Sequence, residues 1–80
     1  MKEVFTVTHV RPDRKRSIKR RLIEDTPVVR SEAQLAGYLT HKLFTDAERG
    51  PDGSSYVIER EAPSGRTVFA VNKRNGRYIV

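Results

Sequence analysis

Residues 11–21 read Arg-Pro-Asp-Arg-Lys-Arg-Ser-Ile-Lys-Arg-Arg and hold seven basic side chains and one acid, a net of +6. The whole 80-residue chain also carries +6, so the remainder is neutral, with nine Lys/Arg against nine Asp/Glu. A positive charge confined to one segment is a local device for meeting a polyanion, most often nucleic acid. Lysine supplies compact point charges there, and arginine supplies planar forks that match phosphate oxygens. The candidate phosphate contacts are Arg11, Arg14, Lys15, Arg16, Lys19, Arg20 and Arg21. A second cluster, Lys73, Arg74 and Arg77, flanks Asn75-Gly76 and extends the footprint if it folds beside the first. A plain solvated loop that only keeps the chain soluble explains the same charges, and charge does not distinguish DNA from RNA.

Other chemistry finds little support. His9 and His41 stand 32 positions apart, and with no cysteine there is neither a thiolate metal set nor a disulfide. Asp46, Glu48 and Asp52 lack calcium-loop spacing and read as a solvated connection. No nucleophile motif, phosphate-binding glycine loop or dinucleotide fingerprint occurs, so the expectation is a protein that is not an enzyme and uses no cofactor, metal or small-molecule substrate. Tyr56 and Tyr78 could stack bases from a sheet surface, although half-buried strand positions account for them equally well.

The elements that must hold these residues follow from periodicity. Val4–Val10 alternates β-branched and aromatic residues and reads as a strand, with Phe5 and Val7 on one face and Thr6 and Thr8 on the other. The basic segment after it admits two forms. A helix over 13–25 would align Ile18 with Leu22. It would also put Arg14, Lys15 and Arg16 at its N-terminus and Glu24 and Asp25 at its C-terminus, both opposed to the helix dipole. The hairpin is favoured: a turn at Arg11–Arg14 and a return strand over Ser17–Glu24, with Arg20 interrupting the apolar face.

Thr26-Pro27 closes that element, and Ser31 with Gln34 forms a capping box. Leu35, Ala36, Leu39 and Leu43 then recur at helical spacing, while Phe44 falls off the stripe and is expected beneath the helix end. Gly50-Pro51 and Asp52-Gly53 mark turns. Strands are expected over Ser55–Glu61 and Thr67–Asn72, joined at Pro63–Gly65. Val68–Val71 is continuously apolar and reads as central or covered on both faces. Asn75-Gly76 is a type I′ turn signal before a short last strand over Arg77–Val80.

The resulting fold class is α+β: one small two-layer basic domain spanning 1–80, an antiparallel sheet of four to five strands packed by one helix in the order β-β-α-β-β-β. Eighty residues leave a stability of only about 3–5 kcal/mol, which oligomerisation could raise. The opening residues enter a strand pattern rather than a secretory signal, no apolar run is long enough for a membrane span, and a cytoplasmic location is expected. The functional expectation is a nucleic-acid-binding module with a basic β-ribbon. The alternative is an accessory or inhibitor protein docking on an acidic protein or ribonucleoprotein. Small phage- and plasmid-encoded proteins, some CRISPR inhibitors among them, are similar in size and layout, though no motif is shared.

Overall fold

The computed structural model describes all 80 residues. Its elements are β1 (Lys2–Val10), β2 (Ile18–Asp25), α1 (Glu32–Leu43), β3 (Ser55–Ala62), β4 (Gly65–Arg74) and β5 (Arg77–Ile79). They form one five-stranded antiparallel sheet of order β2-β1-β3-β4-β5 with α1 on one face, the expected α+β two-layer domain. No helix is long and apolar enough to cross a membrane.

Residues 11–17 form a turn and loop rather than a helix, and Arg14 N–H donates to the Arg11 carbonyl across Pro12-Asp13. The helix begins as its sequence dictates. Ser31 Oγ accepts from Gln34 N–H, and Gln34 Oε1 accepts from the backbone N–H of Arg30, one residue before the cap. That departs from the usual reciprocal box by one position but still satisfies a free donor at the helix start. Asn75 and Gly76 both have positive φ, 51° and 75°, as a type I′ turn requires.

Register sorts the side chains. His9 pairs with Ile18 and Tyr56, Val7 with Arg20 and Ile58, and Phe5 with Leu22 and Arg60, so these residues share the helix side. The core is nine residues: Phe5, Val7, Leu35, Ala36, Leu39, Phe44, Tyr56, Ile58 and Val71. Phe44 lies beneath the helix C-terminus, as its position off the stripe requires. β4 is paired on both edges but bare on one face. Val68 is 55 % exposed and Ala70 is exposed, so of the two forms expected for 68–71 the strand is interior to the sheet and not covered on both faces. Nothing in the chain is left to form a third layer, because the one helix is spent on the other side.

Two ionisable groups are built into the helix side. Glu3 is buried and takes a bidentate pair from Arg60, at 2.9 and 3.0 Å, which holds its carboxyl below the usual range. His9 stacks on Tyr56 with centroids 4.4 Å apart and meets Phe44 edge-on. Burial, then Arg11 and Lys73, push its pKa below the ordinary 6.5, so it is held neutral. The unfolded chain therefore takes up a proton near pH 6.5 that the folded chain refuses, and stability falls as pH drops through that value. The urea midpoint at pH 5.5 is expected below that at pH 7.5, and His9→Phe should remove its share of the difference. Equal pH sensitivity in the variant would refute this origin.

Candidate nucleic-acid interface

Three segments meet at one end of the sheet: the 11–17 loop, the 50–54 connection and the β4–β5 turn. Pro12 approaches Gly53, whose Cβ position would lie 3.5 Å from the proline ring. Gly53 N–H donates to the Lys73 carbonyl at 2.8 Å, and Lys73 N–H donates to that of Ser54 at 2.9 Å. Asp52 accepts from the backbone N–H groups of Asn75 and Gly76, at 2.7 and 3.0 Å, and these two bonds hold its carboxyl below the ordinary range. The acid in this connection thus ties the second basic cluster to the end of the sheet that carries the first.

The ten candidate cations divide by what they touch. Arg14, Lys15 and Arg16 are exposed on the loop and pair with no acid. Lys19 and Arg21 alternate with Ile18, Arg20 and Leu22 along β2, so they stand on the open face, exposed and unpaired. Arg74 and Arg77 are cross-strand partners on that same face near the opposite edge. β2 and β5 are four strand spacings apart, roughly 19 Å, so the two clusters flank the width of the open face.

The other three are engaged within the fold. Arg11 pairs with Asp13 at 3.0 Å and reaches the Ala47 carbonyl at 3.5 Å. Lys73 lies on the helix side and donates to the Gly50 carbonyl at 3.0 Å. Arg20 turns toward the helix C-terminus, where it donates to the Leu43 carbonyl at 2.6 Å, forks onto Glu48 and lies 5.1 Å from the Phe44 centroid. Arg20 lowers the Glu48 carboxyl to about 2, helped by the Thr45 N–H, so this pair stays ionised until strongly acidic pH. Cations at a helix C-terminus complement the dipole, and Arg49 joins Arg20 there by donating to the carbonyls of Thr40 and His41.

None of the six aromatic rings lies on the open sheet face. Tyr56 is fully buried, and Tyr78 packs on the helix side, with its hydroxyl bonded by Thr40 at 2.9 Å. Tyr56 is thus a core residue and Tyr78 packs against the core, so neither offers a ring on the open face for a base to stack on. Alternation places them on the helix side: Tyr56 is opposite the core residue Val71, and Tyr78 is opposite Lys73, two positions from Val71 on the same face of β4. The residues that sequence reasoning missed are Asp52, which gathers the clusters, and His9, Ile18 and Ala47, which with the loop border a cavity of about 320 Å³. Their signal was weak, because turn acids and a strand histidine are common in any small domain. Compared with known protein families, curated proteins and solved structures, the chain matches none.

Proposed function

We propose that this chain is a non-enzymatic nucleic-acid-binding module that grips the phosphate backbone. The observation that carries this reading is the gathering of seven exposed cations without acidic partners, Arg14, Lys15, Arg16, Lys19, Arg21, Arg74 and Arg77, along one end and the open face of the sheet. Asp13 is engaged by Arg11, Glu48 by Arg20 and Asp52 by the β4–β5 turn, while on the open face Glu59 pairs with Arg66 and Glu61 alone stands unpaired beside Lys19 and Arg21. With no ring on the open face, affinity comes from phosphates and depends little on base identity. Binding of random duplex and single-stranded DNA and RNA at two salt concentrations tests the reading. No binding of any of them at low salt would end it.

A second reading rests on a different observation. The bare sheet face carries Val57, Val68, Ala70 and Ile79, an apolar band between the two basic edges. An accessory or inhibitor protein would use such a band against a partner with an acidic rim. Retention of a bound protein after nuclease treatment favours this reading, and loss of all bound material favours the first.

A further inference from the structure

The cavity at the basic end has a defined construction. His9 and Ile18, cross-strand neighbours on β1 and β2, form its floor. Arg14, Lys15 and Arg16 form one wall, and Ala47 and Glu48 form the other. Arg11 ties the walls together through its bond to the Ala47 carbonyl. At about 320 Å³ the cavity is at the small end of the roughly 300–1,000 Å³ range of small-molecule sites.

Its electrostatics are one-sided. Glu48 is neutralised by Arg20, and Asp13 by Arg11, so Arg14, Lys15 and Arg16 face the cavity uncompensated. The floor holds a second, independent feature. His9 is 1 % exposed, and neither ring nitrogen has a hydrogen-bond partner, as is also true of the buried Ser54 hydroxyl nearby. Buried polar groups left this way are uncommon and call for a partner from outside the chain, a water, an ion or a ligand group. Gly50 packs directly behind the floor: a Cβ there would collide with Ser54 Oγ and stand 2.8 Å from His9 Nε2, so only glycine lets the 50–54 connection close on His9.

We infer that this cavity seats the phosphorylated end of a nucleic-acid strand, with the terminal phosphate on Arg14, Lys15 and Arg16 and its nucleoside against Ile18 and Ala47. The inference rests on the backbone-binding reading for the strand that follows. An end fits better than an internal linkage for two reasons. A phosphomonoester carries about −1.5 to −2 charge and three free oxygens, which answers three converging cations better than the single charge of a diester does. At about 320 Å³ the cavity has room for one nucleotide and not for a run of them.

The test compares short oligonucleotides that differ only in a 5′- or 3′-phosphate against a hydroxyl, with adenosine 5′-monophosphate and adenosine titrated against the His9 ring by NMR. One phosphorylated end is expected to bind at least about tenfold tighter than its hydroxyl counterpart, the value of one charge-assisted contact. The triple variant Arg14→Gln, Lys15→Gln, Arg16→Gln should abolish that ratio. Lys19→Gln with Arg21→Gln should weaken both strands and keep it. Adenosine monophosphate should move the His9 resonances and adenosine should not. Equal, measurable affinity for both ends would overturn the seat and leave backbone binding standing. A His9 response to the monophosphate with no strand bound would support a free-mononucleotide site and end the backbone reading. Silence in both arms would end both.

Discussion

Between 50 and 200 mM salt, the affinity of this chain for random duplex DNA is expected to fall about 500-fold. The figure is for a duplex lying along the β2 side, out of reach of Arg74 and Arg77, with five phosphates met by Arg14, Lys15, Arg16, Lys19 and Arg21, which give a log–log slope near −4.5. Replacing all five with glutamine should lower affinity at 50 mM salt by several orders of magnitude and flatten the slope by about 4.5. The informative control is Arg20→Gln, which removes the same charge from the same stretch of sequence. Arg20 is held by Glu48 and the Leu43 carbonyl, so its loss should loosen the helix end and leave the slope unchanged. Arg14→Gln or Lys19→Gln should each remove about 0.9 from the slope. Fluorescence anisotropy across a salt series reads all of these. A slope that Arg20→Gln moves as much as Lys19→Gln does would mean that the charges act as a diffuse cloud and that their placement is irrelevant.

That contrast also shows how far the sequence could be read. Alternation around Arg20 placed it on the apolar side of β2, where a guanidinium looks like an interruption. Its reason lies 28 positions away in Glu48 and at the end of α1, a pairing that no local pattern carries. The same holds for Glu24, which docks β2 on the helix through Tyr38 and Lys42. The charge order that disfavours a helix over 13–25 thus has a positive use in a strand, since its inward members, Arg20 and Glu24, both anchor the C-terminal half of α1, Arg20 at Leu43 and Glu24 at Tyr38 and Lys42. The elements were legible because each rests on local chemistry: Pro12-Asp13, the Ser31 cap, the leucine stripe and Asn75-Gly76. The joining of the two basic clusters was not, because it depends on Asp52 reaching backbone donors more than twenty residues away. The bare face of β4 was not legible because continuous apolar residues report what a strand could bury and not whether a layer exists to bury it.

The thin core makes Leu39→Ala a severe truncation. Leu39 is fully buried at the middle of α1, with Phe5, Val7 and Ile58 on the sheet as members of the same cluster. Alanine is the best helix former, so the substitution does not weaken the helix itself, and the loss is burial plus cavity. Such truncations cost about 2–5 kcal/mol, comparable to the whole stability of about 3–5 kcal/mol expected for a domain of this size. If the variant folds at all, its melting temperature should drop by roughly 10–25 °C. Leu43→Ala, at a half-buried position on the same stripe, should cost clearly less. Circular dichroism melts check both, and a shift below about 5 °C for Leu39→Ala would show that the sheet folds without its helix. The variant also separates charge from architecture. Five of the seven free cations lie within residues 14–21, so an unfolded Leu39→Ala chain keeps most of its salt-dependent attraction to duplex DNA. The phosphate-end preference has no such refuge, because His9, Ile18 and Ala47 come together only when α1 holds the 45–48 turn against the sheet. Loss of that preference ahead of general affinity is therefore the expected order as the fold is weakened.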